Sequence, residues 1–465
     1  MFLLSTMRTY GSLALALGAL ALTGCKDIHE TTLANGMRVV VKEDHRAPVV
    51  VSMVWYKVGA VDEPKGLTGI SHALEHMMFK GTERLKPNEF SRIVAEHGGR
   101  ENAFTSYDYT AYFQQLEKSR LPIAFELEAD RMRNLKLDEA EFKKEIQVVM
   151  EERRLRTEDQ PEALVYEKFM ATAYQAHRYR QPVIGWMDDL ERMTVADLRD
   201  WYRRFYTPTN ATLVVVGDVK PDAVFDLAKK HFGPIPARPV DRPPAPAEPP
   251  QTEARRLDVR IPAQVPYLLM GFHAPILQPP GAATKQEPWE PYALAVLAGV
   301  LDGGDSARFE TELVRAKKIA ARIGTDYRSI ARAPVMMLFS GTPTADHTVA
   351  DLEQALNAQL ERVQREPVSA AELARVKAQV IAGEVYERDS MFNAAYEIGD
   401  LAMAGLDLDL IDERVERLSA VTPEQIMAVA RKYYGPNKLT VAVLHPLPLA
   451  HGMKPRATAG GAHAR

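Results

Sequence analysis

The sequence predicts an α+β protein with two duplicated domains, each a mainly antiparallel sheet packed with helices. A chain of 465 residues exceeds the length at which single hydrophobic cores stop growing, so more than one domain is expected. A helix, a proline-bearing turn and a terminal strand occur at 194–216 and again at 422–444, so that Thr194 and Thr422 are 228 positions apart. The proline-rich segment 233–251 lies between the copies and favours an extended linker.

The first domain is predicted to span residues 28–232, with strands before its helices and one strand after them. Alternating apolar residues indicate strands, and apolar residues three or four positions apart indicate helices. The longest helical stretch, from Leu121 to Arg156, carries many charges and is expected to break near Leu137. The other predicted elements of this domain are strands at 37–41, 49–58, 101–106, 109–116 and 212–216 and helices at 71–79 and 87–95.

The second domain is predicted to span residues 252–447 and to repeat this order. Its predicted strands are 257–261, 267–273, 320–327, 336–340 and 440–444, and its predicted long helices are 348–365 and 370–404. The last residues, 448–465, are rich in Gly, Ala, His and basic residues and are expected to form a disordered tail.

The N-terminal residues predict export to the periplasm. The apolar run 11–22 has the length of a secretory signal core and is too short to span a bilayer. The next residues resemble a bacterial lipobox, so residues 1–24 are predicted to be a lipoprotein signal peptide and Cys25 the lipidated residue. An ordinary signal peptide cut nearby is the alternative. Lys26 stands where an inner-membrane lipoprotein tends to have Asp, which favours a lipid anchor in the outer membrane, facing the periplasm.

The composition excludes several classes of partner and site. The net charge is -4 and the sequence pI is about 6.3, which gives no electrostatic reason to expect nucleic acid as a partner. Cys25 is the only cysteine of the chain. A disulfide within one chain and a cysteine-rich metal site are therefore excluded.

One short stretch places two imidazoles and a carboxylate in an otherwise apolar helical run. His72 and His76 are four positions apart, so both lie on one face of a helix and can bind one metal ion. Glu75 is offset by one position and is suited to accept a proton from water beside the metal. The order H-x-x-E-H is the inverted form of the H-E-x-x-H zinc helix. Because two histidines can fall into this spacing by chance, a third ligand is needed.

The charged helical stretch after Asp138 is expected to supply that ligand, because a catalytic zinc usually has three protein ligands. Glu145 and Glu152 are seven residues apart and lie on nearly the same helix face. Most glutamates in such a stretch are solvated surface charge. The spacing alone therefore does not select one of them.

The duplication predicts one metal site per chain. Adding the 228-residue offset to the three motif positions gives Val300, Gly303 and Gly304, and none of these side chains can bind a metal. The second domain is therefore predicted to lack a metal site.

The chain resembles the pitrilysin-like peptidases, an inverted-zincin family that includes the mitochondrial processing peptidase. The resemblance rests on the H-x-x-E-H motif, followed 76 residues after His76 by Glu152. It also rests on the segments 98–105 and 306–309, the duplicated halves and the proline-rich linker, and it covers nearly the whole mature chain. The family implies a zinc peptidase whose two halves face each other across a chamber.

The resemblance implies a role for each residue of the motif. Zinc, one ion per chain, would be bound by His72, His76 and Glu152, and Glu75 would act as the general base. Glu151 is the alternative third ligand, one position away.

The resemblance also implies residues around the metal. Glu145 would orient a ligand or the water from outside the coordination sphere. Asn102, Ala103 and Phe104 match an edge strand on which the family lays its substrate in extended form, which suits broad cleavage of unfolded peptides. Arg308 matches a substrate-binding Arg of the second domain.

One departure from the family concerns the second domain. Efficient members usually place an Arg and a Tyr there, and Ala321 stands where the Tyr is expected, 13 residues after Arg308. Tyr327 lies near this position but out of register. Some members divide the zinc site and the Arg/Tyr pair between two subunits. We therefore expect a homodimer or a heterodimer with a related subunit.

These observations predict a membrane-anchored zinc endopeptidase that hydrolyses unfolded peptides or small proteins in the bacterial periplasm. One alternative is a non-catalytic scaffold or half-enzyme subunit that needs a partner to supply the Arg/Tyr pair. Another is a periplasmic zinc-binding or sensing protein. The joint presence of a ligand set and Glu75 favours the peptidase, because a scaffold needs neither and a sensor has no need of Glu75.

Overall fold

The computed structural model describes residues 28–282 and 284–449. The predicted signal peptide, Cys25 and all but the first two residues of the predicted tail lie outside the described residues. Among the described residues, no helix is long and apolar enough to cross a bilayer.

The described residues form strands and helices in the predicted α+β order. The strands are β1 (Ile28–Thr32), β2 (Arg38–Glu43), β3 (Val49–Tyr56), β4 (Arg100–Thr105), β5 (Thr110–Glu117), β6 (Ala211–Gly217), β7 (Arg255–Pro262), β8 (Tyr267–Ala274), β9 (Ala320–Asp326), β10 (Val335–Pro343) and β11 (Thr440–Leu447). The α-helices are α1 (Ile70–Met77), α2 (Glu89–Glu96), α3 (Leu121–Asn134), α4 (Glu139–Arg153), α5 (Pro161–Ala173), α6 (Met187–Arg192), α7 (Val195–Phe205), α8 (Pro221–His231), α9 (Glu290–Asp302), α10 (Val349–Arg365), α11 (Ala370–Glu387), α12 (Met391–Ala404), α13 (Leu410–Ala420) and α14 (Pro423–Tyr433).

The strands form two sheets with the same topology, except that the first sheet has an additional edge strand, β1. The strand order is β1-β2-β6-β3-β5-β4 in the first sheet and β7-β11-β8-β10-β9 in the second. Each sheet has one parallel pair, β2 with β6 and β7 with β11, and its other pairs are antiparallel. The predicted fold class, two duplicated α+β units with mainly antiparallel sheets, is therefore confirmed.

The last helix and strand of each copy begin with the same local signal. Thr194 precedes α7 and forms a capping box with Asp197, in which each side chain accepts a hydrogen bond from the other residue's backbone N–H. Thr422 and Gln425 form the same box at the start of α14. The two copies therefore repeat the same N-terminal capping interaction as well as the same order of elements.

The spacing between the two copies is not constant along the chain. Thr212 pairs with Trp55 in the first sheet, and Thr440, 228 positions after Thr212, pairs with Gly271 in the second sheet. Trp55 and Gly271 therefore hold equivalent places, although they are only 216 positions apart. The second copy has longer connections between its second strand and its last helix, which restores the larger offset.

This change of spacing corrects the residue matching made from the sequence. The helix that follows β3 in the first half is α1, and the helix that follows β8 in the second half is α9. Val300, Gly303 and Gly304 lie at the end of α9 and in the turn after it, so the 228-residue offset overshoots the true counterparts of His72, Glu75 and His76. The error arose because a single offset was applied across loops of unequal length.

Each half also places one helix against the other half's sheet. Helix α5 packs on β7, β8 and β11, where Val165 and Phe169 are fully buried. Helix α12 packs on β3 and β6. Gly399 of α12 approaches Trp55 so closely that an added Cβ would lie 2.0 Å from the indole ring, so only glycine fits there. The two halves therefore share hydrophobic clusters.

A buried group of charges joins the linker to both halves. Asp62 has 2% of its side chain exposed and accepts hydrogen bonds from Arg332 Nη1 at 2.7 Å and Nη2 at 3.0 Å. Arg242, from the linker, pairs with the same carboxylate at 2.9 Å. The linker itself, residues 233–251, contains no helix or strand. Asp62 thus anchors an otherwise extended segment.

Candidate metal centre

Helix α1 buries one face and turns the motif residues to the other. Its apolar residues Ile70, Ala73, Leu74 and Met77 recur at helical spacing and are buried. The helix begins after Gly69, whose φ of 84° lies in the left-handed region that favours glycine. The histidines and Glu75 of the motif therefore share the remaining face.

The start of α1 is held by a buried carboxylate. Glu63 is fully buried and accepts hydrogen bonds from the N–H groups of Gly69, at 2.7 Å, and Ser71, at 2.9 Å. The first N–H groups of a helix have no partner within the helix, and a carboxylate also interacts favourably with the positive end of its dipole. Glu63 therefore fixes the start of α1, the helix that carries the motif.

Helix α4 brings the third candidate ligand to the motif. Asp138 caps the start of α4 by accepting hydrogen bonds from the N–H groups of Ala140 and Glu141. Glu145 and Glu152 lie two turns apart on the helix face that meets α1. After Arg153 the chain widens into a π-helical turn, Arg154–Glu158. The sequence prediction that one helix would carry both glutamates to the histidines is consistent with this arrangement.

The geometry of the three side chains fits a tetrahedral zinc ion. Glu152 Oε2 lies 3.3 Å from His76 Nε2 and 3.8 Å from His72 Nε2. Zinc–ligand bonds of about 2.0–2.2 Å in a tetrahedron place ligand atoms roughly 3.4 Å apart. Among the described residues, His72, His76 and Glu152 are the only group of three such side chains with donor atoms within 4.8 Å of one another. The donor set, two imidazoles and one carboxylate, is one that zinc accepts.

Neighbouring charges orient these groups. His76 Nδ1 lies 3.0 Å from Glu145 Oε1, and Lys80 pairs with Glu145 Oε2 at 2.7 Å. Arg156, four residues after Glu152, pairs with Glu152 Oε1 at 2.7 Å. Glu145 therefore holds the ring that it was expected to orient, and Oε2 of Glu152 remains the atom nearest the histidines.

The surroundings shift the pKa values of the ligand groups in different directions. Burial lowers the pKa of His72 to about 4. Burial also lowers the pKa of His76, but hydrogen bonds to Glu145 and Glu152 outweigh it and raise the pKa to about 9. The same contact with His76 lowers the pKa of Glu152 to about 2. Ionised Glu152 and neutral His72 are ready to bind a cation, whereas His76 must release a proton.

Glu75 lies beside the ligand set without being part of it. The Thr105 hydroxyl on β4 donates a hydrogen bond to Glu75 Oε2. Burial raises the pKa of Glu75 to about 7, and the hydrogen bond from Thr105 opposes that rise. A carboxylate with a pKa near neutrality can both take up and release a proton, as a general base requires.

The motif opens into one large cavity between the two halves. The cavity has a volume of about 1380 Å³, and residues of both halves line it. Asn102, Ala103 and Phe104 are on β4, the outermost strand of the first sheet, and all three line the cavity. Within the described part of the chain, β4 pairs only with β5, so its other edge is open to an added strand.

The side chains on this edge strand are not equally available. Phe104 packs against Trp55 and Tyr396, with ring centroids 5.4 Å and 5.6 Å away. Asn102 Oδ1 accepts a hydrogen bond from the Ala103 N–H at 2.9 Å. Backbone pairing is therefore the main contact that β4 can offer to a peptide. One backbone donor, the N–H of Ala103, is already hydrogen-bonded to the Asn102 side chain.

The structure does not bring the expected second-domain residues to the cavity. Arg308 is buried and forks onto Glu372 of α11, with Nε and Nη2 each 2.8 Å from a carboxylate oxygen. Ala321 is exposed on β9, and neither it nor Arg308 lines the cavity. The Tyr327 hydroxyl donates a hydrogen bond to the backbone carbonyl of Pro275.

Sequence reasoning missed several residues that surround the motif. Lys80 and Arg156 each lie four residues after a ligand, so the helical spacing could have indicated them. Glu63 lies in the loop that leads into α1, six residues before Gly69, and no recognised capping pattern marks it. Thr105 comes from β4, so its contact with α1 depends on how the strands pair.

Two family models match the chain in succession. Residues 38–186 match the model described as insulinase (peptidase family M16). Residues 192–380 match the model described as the peptidase M16 inactive domain. The first match contains the whole candidate metal centre, and the second contains most of the second sheet.

Comparisons with whole chains agree with these matches. The zinc protease PqqE from Helicobacter pylori is 33% identical over 423 residues, which cover 90% of this chain and 93% of that protein. The crystal structure of a protease from Helicobacter pylori matches with a TM-score of 0.84 and 32% identity, covering 90% of this chain and 99% of that one. The periplasmic protease PqqL from Escherichia coli matches with a TM-score of 0.77 and 19% identity, covering 90% of this chain and 48% of that one.

Proposed function

The chain belongs to peptidase family M16, and from this premise we propose that it is a zinc-dependent endopeptidase that hydrolyses unfolded peptides or small proteins. The observation that carries the proposal is the meeting of three donor side chains with Glu75 at a cavity of about 1380 Å³. A zinc-binding protein without hydrolysis would have no need for a buried carboxylate beside the ligand set. The name of the relative PqqE supports zinc as the metal.

His72, His76 and Glu152 would hold the ion, one per chain. Zinc bound there would supply Lewis-acid activation of a water molecule and of the peptide carbonyl. Glu75 takes the proton of the attacking water on its carboxylate and later gives it to the leaving amine. The Thr105 hydroxyl keeps the carboxylate of Glu75 directed towards the ligand set. Glu145 holds the His76 ring in place.

Substrate recognition would rest on the open edge of β4. An extended peptide that pairs with Asn102, Ala103 and Phe104 through its backbone brings a carbonyl near the motif. Such pairing demands little of the substrate's side chains. A cavity of about 1380 Å³ is too small to hold a folded protein, so unfolded peptides are the class of substrate that fits.

A half-enzyme subunit is the second candidate function, and one observation favours it. Arg308 is held by Glu372, and Ala321 carries no hydroxyl. In that case a related subunit in a heterodimer would supply the Arg/Tyr pair. A homodimer remains the proposal if the purified chain is active alone.

We also propose that the mature protein is lipid-anchored through Cys25 and faces the periplasm, at the outer membrane. The lipobox-like segment before Cys25 supports the anchor. The periplasmic relative PqqL supports the compartment.

The enzymatic proposal is tested with the purified full chain and its Glu75→Gln variant. Both proteins are assayed for bound zinc and for cleavage of an unfolded casein peptide mixture by mass spectrometry. We expect one zinc per chain in both, cleavage by the wild type, and a loss of at least about 100-fold in the variant, since a general base contributes 10²–10⁴-fold. If both bind zinc and neither cleaves, a half-enzyme or scaffold replaces the stand-alone enzyme.

A further inference from the structure

The second half contributes one anchored cation to the cavity wall. The cavity-lining residues of that half are Asp326, Arg328, Ala331, Val335, Met336 and Leu338. Arg328 is the only basic residue among them. It lies just after β9, in the connection to β10.

Arg328 is fixed at one end and open at the other. Its Nη2 donates hydrogen bonds to the Tyr109 hydroxyl, at 2.9 Å, and to the buried carboxylate of Asp400. Its guanidinium carbon lies 5.6 Å from the centroid of the Tyr109 ring. Its Nε and Nη1 donate no hydrogen bond to any described residue, and 38% of the side chain is exposed. The N–H groups of Nη1 are therefore presented in a fixed position.

The other cations of the cavity are less suited to bind a ligand. Arg156 is paired with Glu152 of the metal centre. Arg180 is exposed and makes no ion pair with a described residue, so nothing fixes its side chain. Arg308, where a substrate-binding Arg was expected, forks onto Glu372 away from the cavity. An arginine that is already held loses less side-chain entropy on binding than one that is free.

We propose that Arg328 binds a carboxylate of the peptide substrate through its free Nη1 group. This inference rests on the proposed function, because it takes an extended peptide as the occupant of the cavity. Nη1 donates a charge-assisted hydrogen bond to one oxygen of that carboxylate. Nε points along a different edge of the guanidinium and does not share the same carboxylate. The carboxylate comes from an acidic side chain or from the C-terminus of the peptide, and both present the same chemistry.

The neighbouring acid makes the direction of the effect testable. Asp326 is exposed, lines the same cavity two residues before Arg328, and forms no ion pair with a described residue. Its negative charge opposes the binding of a carboxylate. Removing the charge of Asp326 should therefore strengthen the preference that removing the guanidinium of Arg328 abolishes.

The test measures peptide binding to the full chain, purified in a mild detergent and kept free of metal with a chelator. The probes are fluorescent twelve-residue peptides of Ala, Ser, Gln and Phe. The reference peptide is neutral with an amidated C-terminus, a second set carries one Glu at successive positions, and a third peptide has a free C-terminal carboxylate. Fluorescence anisotropy gives each Kd. The Glu set and the free C-terminus separate the two sources of the carboxylate.

We expect the wild type to bind at least one carboxylate-bearing peptide about tenfold more tightly than the neutral one, as a charge-assisted hydrogen bond predicts. Arg328→Gln should reduce this preference to within about twofold and leave the Kd of the neutral peptide within about twofold. Arg328→Lys keeps a positive charge beside Asp400 and should also lose most of the preference. Asp326→Asn should increase it, and Arg365→Gln, an exposed Arg on α10, should leave it unchanged.

A wild type without a preference, or a preference that survives both Arg328 variants, would overturn the proposal. The proposal would also be overturned if Arg328→Gln, with an unchanged melting temperature, lost the same affinity for neutral and for acidic peptides. Cleavage of the neutral peptide after zinc is added reports separately on the proposed function. Binding preference without cleavage would therefore reject the peptidase and keep the carboxylate site.

Discussion

The two histidines of the motif are held in place by different means. Glu145 lies 3.0 Å from Nδ1 of His76, whereas His72 Nδ1 is buried with no hydrogen-bond partner among the described residues. A metal-binding histidine usually donates a hydrogen bond from the N–H of its other ring nitrogen to such a partner. His76 is therefore oriented by a charge, and His72 is oriented by the packing around α1.

The choice between two adjacent glutamates gives a prediction at this scale. Glu152→Gln should weaken zinc binding by more than about 100-fold, because loss of an outer partner alone already costs 10–100-fold. Glu151 is exposed and pairs with Arg154, so Glu151→Gln should bind zinc as the wild type does. Titration of each protein against a chelator of known affinity measures the difference. If Glu151→Gln loses the metal and Glu152→Gln keeps it, the ligand assignment is off by one position.

Part of the site could be predicted from local spacing and part could not. The four-residue spacing of His72 and His76 is sufficient to place both on one helix face, and Glu75 follows from the same pattern. Glu152 could not be selected in this way, because α4 carries several glutamates at helical spacing, and the family resemblance was needed. Thr105 and Arg328 reach the cavity only through strand pairing and through contact between the halves. No short-range pattern encodes such contacts.

Among the elements, α1 depends most on a residue outside itself. Glu63 satisfies two N–H groups at its start, and burial raises the pKa of Glu63 from 4.5 to about 7. The folded chain thus holds this proton more tightly than the unfolded chain does. The resulting contribution to stability is complete below about pH 4.5 and is lost as the pH rises through about 7.

A pH-dependent difference between the wild type and Glu63→Gln is therefore expected. Glutamine does not titrate, so the free energy of unfolding of the wild type relative to the variant should be larger at pH 5 than at pH 8, by roughly 2 kcal/mol. Urea unfolding of both proteins at the two pH values measures it. Glu253→Gln, a change at an exposed glutamate, serves as the control and should show no such trend. An equal difference at both pH values would contradict the assigned role of Glu63.

Elements with a strong periodic signal were predicted well, and short or uniformly apolar ones were not. The predicted break near Leu137 falls between α3 and α4, where Asp138 caps the second helix. The helices α5, α6, α8 and α13 were not predicted, and no bounds were predicted for α9. Helix α9 is buried on nearly all sides, so it shows no amphipathic period.

For the whole molecule, Asp62 is the charge that most directly joins the two halves and the linker. Asp62→Asn leaves Arg332 and Arg242 without their anionic partner in a buried place. The free energy of unfolding should fall by about 3–5 kcal/mol, the cost of breaking a buried ion pair from one side. Thermal unfolding of the variant beside Asp346→Asn, an exposed aspartate that loses the same charge, measures the effect. A variant as stable as that control would show that the charges do not hold the halves together.

The order of domains along the chain predicts two separable units. In the structure, however, each half packs one helix on the sheet of the other half. The duplication could be predicted because it leaves a repeated pattern in the sequence. The exchange of α5 and α12 could not be predicted, because an apolar helix face does not state which sheet it will cover. Gly399 carries no sequence signal of its own, although its contact with Trp55 requires a glycine.

The reciprocal placement of α5 and α12 limits how a substrate can enter. If the halves swung apart as rigid bodies, Phe169 on one side and Trp55 on the other would lose their apolar cover to water. Each helix packs in the hydrophobic core of the other half, so a wide hinge motion would expose both cores to water. Entry by threading a chain end or a loose loop past the β4 edge disturbs neither core. For the proposed peptidase, the substrates would therefore be chains that can present an unfolded segment to the β4 edge.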